Sequence, residues 1–119
     1  INSNIDALFD YAKTGQKIVV LGDVLELGEQ SEKLHRGIGE FIVEEAQKGK
    51  ILDLVVTVGE GASFIAKQVE ETSNIAVKIC KDNEEAAAFV KECAKEGDWI
   101  LVKGSRGMHM DEVVQKVVM

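Results

Sequence analysis

The chain has 119 residues, of which 45% are hydrophobic and 29% charged, and its formal net charge is −7. This length suits one domain with a real core, whereas the acidic balance argues against a nucleic-acid binder, which needs Lys and Arg against phosphates. No apolar block approaches the ~20 residues of a membrane span, so we expect a cytoplasmic protein with neither a membrane nor a nucleic-acid partner.

The first half of the chain alternates helical and strand patterns. Apolar residues at helical spacing predict a helix over residues 5–12, which Ser3 or Asn4 would cap. The continuous apolar and β-branched runs 18–21 and 54–58 predict two strands that are covered on both faces. Such strands belong in the centre of a parallel sheet.

Two further strands complete the predicted sheet. Residues 75–79 alternate apolar with other side chains, which is typical of a strand nearer an edge, and residues 99–102 form a fourth apolar run. Amphipathic helices separate and follow these strands. Their apolar stripes are Leu34, Ile38, Phe41 and Ile42; Ala62, Ile65, Ala66 and Val69; Ala86, Phe89, Val90, Cys93 and Ala94; and Met110, Val113, Val114 and Val117. Ser31 is expected to cap the first of them, and Asp82 with Glu85 to form a capping box for the third.

The order of these elements predicts the fold class. Alternating helices and strands indicate an α/β fold, here a Rossmann-like, doubly wound, mostly parallel sheet with helices on both faces, formed by residues 1–119 as one domain. In the commonest strand order, 3-2-1-4, the first and fourth strands are neighbours, and ligands bind beyond their carboxyl ends. The same order leaves the apolar fourth strand at an edge unless something else covers it.

Two polar loops leave these two neighbouring strands. After the fourth strand, Lys103, Ser105 and Arg106 stand among glycines that let a ligand approach the backbone, which favours an anion site. After the first strand, Asp23 and Glu26 offer carboxylates for an amine, a ribose hydroxyl or hydrated magnesium. Solvated surface charges are the alternative for both loops. We favour a shared cleft because both loops leave the sheet at the switch point.

Other chemically suggestive residues have more than one interpretation. His35 follows the acidic loop and is either a loop-ordering hydrogen bonder or a site residue. Residues 59–64 look like a dinucleotide-binding fingerprint, but they follow the second strand and Phe64 replaces the third glycine, so we predict a plain turn. Cys80 and Cys93 lack the spacing of a zinc site and are expected to be buried, reduced thiols. No covalent nucleophile and no metal site are predicted.

Two long motifs resemble the signature segments of a known family. They are Leu21 to Glu32 and Val102 to Met108, with His35-Arg36 and Thr57 to Glu60 between them. These segments are similar to the carboxy-terminal domain of the Mur ligases, in particular to members that add D-alanyl-D-alanine in peptidoglycan synthesis. In these three-domain enzymes the first domain holds the UDP-sugar, the central one carries the P-loop and Mg²⁺, and the last closes over ATP. The resemblance implies that the chain is an excised part whose partners are the upstream ATP-binding and UDP-substrate domains.

The resemblance also implies a reaction and roles for the two loops. ATP would phosphorylate the carboxylate of UDP-MurNAc-tripeptide, and the amine of D-Ala-D-Ala would attack the acyl phosphate. Lys103, Ser105 and Arg106 would bind the dipeptide carboxylate or nucleotide phosphates, while Asp23 and Glu26 would face the amine or the ribose. Since the chain has no P-loop sequence, ATP and Mg²⁺ would be held mainly by the central domain, and this domain alone would be inactive.

Two alternatives remain open at this stage. One is a free-standing Rossmann-like module that binds a small anion or regulates another protein through the same crevice. The other is a different Mur or folylpolyglutamate-type ligase, which should lack the acidic segment between Leu21 and Gly28.

Overall fold

The computed structural model describes residues 8–9, 15–25, 28–104 and 109–118, which form an α/β fold. Its elements are β1 (Lys17–Gly22), a 3-10 turn (Gly28–Gln30), α1 (Ser31–Gln47), β2 (Leu54–Val58), α2 (Glu60–Thr72), β3 (Ala76–Cys80), α3 (Asn83–Cys93), β4 (Trp99–Lys103) and α4 (Asp111–Val118). The four predicted strands are confirmed. Of the predicted first helix, Leu8 and Phe9 lie within the described ranges and are helical. Within those ranges no helix is long and apolar enough to cross a membrane.

The four strands form one parallel sheet in the order β3-β2-β1-β4. Leu21 of β1 pairs with Thr57 on one side and with Lys103 on the other. The carboxyl ends of β1 and β4 are therefore neighbours, as the predicted 3-2-1-4 order requires. Since the connections lie on both faces of the sheet, the doubly wound architecture is confirmed.

The core lies on both sides of β1, because alternate side chains of a strand point to opposite faces. Val19 and Leu21 belong to the cluster formed with α1 and α2, whereas Ile18 and Val20 belong to the cluster formed with α3 and α4. All four side chains are buried. A continuous apolar run is thus the consequence of burial on both faces, which explains why β1 and β2 carry no polar alternation.

The outer strands are less covered. β3 is partly exposed, as its alternating sequence predicted. In β4, Ile100 and Val102 are half-buried and leave a gap of about 90 Å³ against Val114 and Val117 of α4, while Trp99 is 43% exposed. The apolar character of β4 therefore exceeds what the described residues bury.

Of the two helix caps predicted from the sequence, one is confirmed and the other is wrong. Asp82 caps α3 by accepting from the Glu85 amide at 2.8 Å, and Glu85 accepts from the Lys81 amide at 2.8 Å, so the predicted capping box forms with its return bond one residue earlier. The prediction that Ser31 caps α1 is wrong. A 3-10 turn runs directly into the helix, so that Gln30 takes the cap position and Ser31 is the first helical residue.

A buried isoleucine of α2 provides a test of the core. Ile65 is 1% exposed, whereas Ile51, before β2, is 55% exposed. We expect Ile65→Ala to lower the free energy of unfolding by about 2–5 kcal/mol, because it removes apolar contacts and leaves a cavity. The same change at Ile51 should stay within about 0.5 kcal/mol. Urea unfolding of both variants measures this, and equal losses would contradict the assigned core.

The start of β4 is tied to the start of β1 by one carboxylate. The Asp98 side chain accepts from the Gln16 backbone at 2.9 Å, from the Gln16 side chain at 2.8 Å and from the Lys95 backbone at 2.8 Å. These bonds, the Gln16 backbone bond foremost, hold the pKa of Asp98 below its usual range.

The lowered pKa of Asp98 gives a pH-dependent contribution to stability. Because the folded-state pKa is depressed, the contribution is present above the unfolded pKa of about 3.9 and is lost as the pH falls through the folded value. We expect the stability difference between wild type and Asp98→Asn to be largest near pH 6 and to shrink towards pH 2. Urea unfolding across this range measures it, and a difference independent of pH would exclude the ionised carboxylate as the cause.

Candidate functional site

The candidate site is a cleft beyond the carboxyl ends of β1 and β4. Its volume is about 270 Å³. It is lined by Leu21, Gly22, Val24, Ile38, Ile65, Lys103 and Gly104. The lining combines apolar side chains, two glycine backbones and one ammonium group, and it lies where ligands bind in open α/β sheets.

Two glycines let the ends of these strands approach each other. A Cβ added to Gly104 would lie 2.7 Å from the Met110 side chain and 3.3 Å from the Gly22 Cα, and a Cβ on Gly22 would lie 2.6 Å from the Met110 sulfur. Met110, just before α4, is itself buried. The floor of the cleft is therefore backbone packed on a methionine, with no space for larger residues at either glycine.

Asp23 is held at the start of α2. Gly59 occupies the N-cap position with a φ of 105° and has no side chain with which to cap the helix. Asp23 supplies the missing oxygen from another segment, since its carboxylate accepts from the Ala62 amide at 2.5 Å. A Cβ on Gly59 would lie 2.6 Å from that carboxylate. The negative charge also stabilises the positive end of the helix.

His35 is buried beneath the same loop. Its Nε2 accepts from the Val24 amide at 3.0 Å, and its Nδ1 lies 2.7 Å from the Ser31 carbonyl and 3.2 Å from the Ser31 hydroxyl. The ring is 0% exposed and packs against Gly61, where a Cβ would lie 2.7 Å from its Cε1. Of the two interpretations of His35, the loop-ordering one is the one that matches these contacts.

The predicted site residues divide into two groups. Within the described ranges, Lys103 lines the cleft with an exposed side chain, whereas Asp23 is bonded to the Ala62 amide of α2 and His35, in α1, to the Val24 amide. Glu26, Ser105 and Arg106 were also predicted, and they lie outside the described residues. Their roles as ligands stay predictions, as do those of Asp23 and Lys103.

The glycines of residues 59–62 have a structural use that the sequence interpretation missed. We predicted a plain turn over residues 59–64, whereas the structure places Gly59 at the N-cap and residues 60–64 in α2, and the two glycines make room for Asp23 and His35. The signal was present in the sequence as Gly59-Glu60-Gly61. It could not be interpreted without knowing which side chains the topology brings against it.

Two larger cavities lie outside this cleft. One, of about 470 Å³, lies near the amino ends of β2 and β3, where Asp53 accepts from the Lys17 amide at 2.7 Å, and the other, of about 380 Å³, lies near the carboxyl end of β3 and the start of α2. Cys80 is buried and Cys93 half-buried, and both thiols are free. Burial raises the pKa of Cys80 to about 11, which keeps it protonated and unreactive. Among the described residues no group of three or more His, Cys, Asp or Glu could hold a metal ion.

Comparison with known families decides the classification. The family model described as "Mur ligase, glutamate ligase domain" matches residues 1–106. The chain belongs to this family. This Mur ligase domain is 35% identical over 105 residues to the UDP-N-acetylmuramoyl-tripeptide–D-alanyl-D-alanine ligase of Bacillus subtilis, covering 87% of the chain and 22% of the relative. It is 32% identical over 101 residues to the Escherichia coli ligase of the same name, covering 85% and 21%.

Solved structures give the same relationship for the Mur ligase domain. MurF from Acinetobacter baumannii superposes with a TM-score of 0.79 at 27% identity, and MurF ligase from Thermotoga maritima in complex with ADP with a TM-score of 0.73 at 27% identity. Each match covers 98% of this chain and 24% of the solved chain. The Rossmann-like fold is thereby confirmed, and the chain spans about a quarter of the length of these relatives.

The contact between Asp23 and α2 can be tested by its contribution to the free energy of unfolding. Asp23→Ala should lower the free energy of unfolding by about 0.5–2 kcal/mol, because the Ala62 amide loses its acceptor. Asp23→Asn keeps a carbonyl oxygen at the same place and should lose less than half as much. Chemical denaturation of the two variants measures this, and a wild-type stability for Asp23→Ala would show that the cap contributes nothing.

Proposed function

We propose that this chain is the carboxy-terminal domain of an ATP-dependent amide-bond-forming ligase that adds D-Ala-D-Ala to UDP-MurNAc-tripeptide. The proposal is supported by relatives that are named as UDP-N-acetylmuramoyl-tripeptide–D-alanyl-D-alanine ligases or as MurF, and by the chain's coverage of about a quarter of their length. The upstream ATP-binding and UDP-substrate domains of the same protein are its proposed partners. The reaction takes place in the cytoplasm, where ATP is available.

The observation that carries the proposal for this domain is the composition of the cleft. At about 270 Å³ it is smaller than the ~300–1,000 Å³ typical of drug-sized ligands. D-Ala-D-Ala is small and carries two methyl groups and one carboxylate, which match the apolar walls and the Lys103 ammonium. A nucleoside triphosphate is larger and carries several charges, so it fits this part of the site less well. We therefore assign the cleft to the dipeptide.

The domain contributes orientation to the reaction. In the proposed chemistry a phosphoryl group passes from ATP to the tripeptide carboxylate with release of ADP, and the dipeptide amine then displaces phosphate to form the amide. Holding the carboxylate end of the dipeptide at Lys103 directs its amine out of the cleft towards the acyl phosphate. Such positioning replaces a bimolecular encounter by an ordered one, and closure of the domain would exclude water.

The donors among the described residues support a proposal about the cofactors. Among the described residues, the carboxylate beside the cleft, Asp23, is engaged by the Ala62 amide, and no acidic cluster is available for Mg²⁺. We therefore place ATP and Mg²⁺ mainly on the central domain, where Mg²⁺ would offset phosphate charge. Ser105 and Arg106 remain proposed anion ligands beside Lys103, and Glu26 remains proposed to face the amine or ribose. The isolated domain is expected to be inactive.

Lys103 offers the direct test of this assignment. In the full-length ligase, Lys103→Ala should raise the KM for D-Ala-D-Ala by about 10- to 100-fold, because one charge-assisted bond to the carboxylate is lost. Lys116→Ala on the exposed side of α4 is the matched control and should change the KM less than about twofold. Steady-state ADP release at varied dipeptide measures both. An unchanged dipeptide KM, or a rise confined to the KM for ATP, would remove the dipeptide from this cleft.

A further inference from the structure

The hydrogen bonds of His35 fix its tautomer. The Val24 amide can only donate, so Nε2 is the acceptor, and the Ser31 carbonyl can only accept, so Nδ1 carries the proton. Both ring nitrogens are therefore occupied by backbone groups of the protein. With 0% exposure and no place among the groups that line the cleft, His35 has no free atom to offer a ligand.

The partner of His35 does reach the cleft. Val24 lines it and is 39% exposed, and Val24 follows directly after the anchored Asp23. The loop after β1 is thus held at two consecutive residues, by Asp23 on α2 and by Val24 on His35 of α1. The backbone bond to His35 therefore holds a residue that lines the same cleft as Lys103.

We infer that His35 is a positioning residue of the ligase, which acts through the Val24 amide to hold residues 22–25 at the distance from Lys103 that the dipeptide requires. This inference rests on the proposed function for the identity of the ligand. The part of the inference that concerns the position of Val24 rests on its bond to His35 and does not depend on the ligand. His35 touches neither substrate nor reacting atoms, and its effect is expected on dipeptide binding with little effect on the use of ATP.

Two substitutions in the full-length protein separate loop positioning from general stability. In His35→Gln the side-chain oxygen reaches roughly the place of Nε2 and can accept from Val24. In His35→Asn the amide reaches only the place of Nδ1, so the bond to Ser31 is kept and the Val24 amide loses its acceptor. Both variants lose the ring packed on Gly61, so a merely structural role would affect them alike.

The kinetic outcome distinguishes the two roles. We expect His35→Asn to raise the KM for D-Ala-D-Ala by about 10-fold, whereas His35→Gln stays within about threefold of wild type. The KM for ATP should change less than about twofold in either variant. Equal effects of Asn and Gln on the dipeptide KM, or an equal rise in the KM for ATP, would overturn the inference.

Hydrogen exchange of the full-length protein gives a readout that does not need turnover. Amides in the segment 22–25 should exchange at least about 10-fold faster in His35→Asn than in His35→Gln. Identical exchange would overturn the inference. If wild type releases no ADP in response to D-Ala-D-Ala, the proposed function fails, and the exchange experiment still decides whether His35 holds the loop.

A second pair of variants applies if substitutions of His35 prevent folding. Gly61→Ala places a methyl group 2.7 Å from the His35 ring, whereas a Cβ on Gly37, in α1, meets nothing within 4 Å. Both glycines lie in helices, Gly61 in the first turn of α2 and Gly37 within α1, and both changes add one methyl group. We expect Gly61→Ala to reproduce the faster loop exchange and the higher dipeptide KM. Loop exchange and a dipeptide KM like those of Gly37→Ala would overturn the inference.

Discussion

The central position of β1 is the constraint on which the rest of the structure depends. β1 pairs with β2 on one side and β4 on the other, and its side chains are buried on both faces. A parallel strand in this position must be apolar along its length and must be followed by a connection that crosses a face of the sheet. Polar chemistry is therefore displaced to the residues just beyond its carboxyl end, where β4 also ends.

The loop that follows β1 shows how this edge is made rigid. The Asp23 carboxylate accepts from the Ala62 amide at the start of α2. The next backbone amide, that of Val24, donates to the buried His35 imidazole of α1. Both contacts need glycines at the start of α2, since a side chain at the N-cap Gly59 or at Gly61 would occupy the space of Asp23 or His35. One loop is thus coupled to two helices through neutral and charged hydrogen bonds inside a mostly apolar layer, which is the kind of support that an oriented binding site requires.

The division of labour proposed for the whole ligase agrees with what this domain contains. The cleft provides apolar walls, a glycine floor and Lys103, which suits a small carboxylate ligand better than a nucleotide. The half-buried strand β4 and the exposed Trp99 carry more apolar surface than the described helices cover. Under the proposed function this domain would place one substrate, and the neighbouring domains would hold ATP.

The sequence by itself determined the four strands, their parallel order and the end of the sheet at which β1 and β4 both terminate, because hydrophobic periodicity and crossover handedness depend on local pattern. It also left two roles open for His35, a hydrogen bonder that orders the loop or a residue of the site. Only the tertiary structure decided that Asp23 is bonded to the start of α2, that His35 binds the Val24 amide, and that the glycines of residues 59–61 make room for those two side chains. These outcomes depend on contacts between segments distant in the chain, which local sequence patterns do not encode.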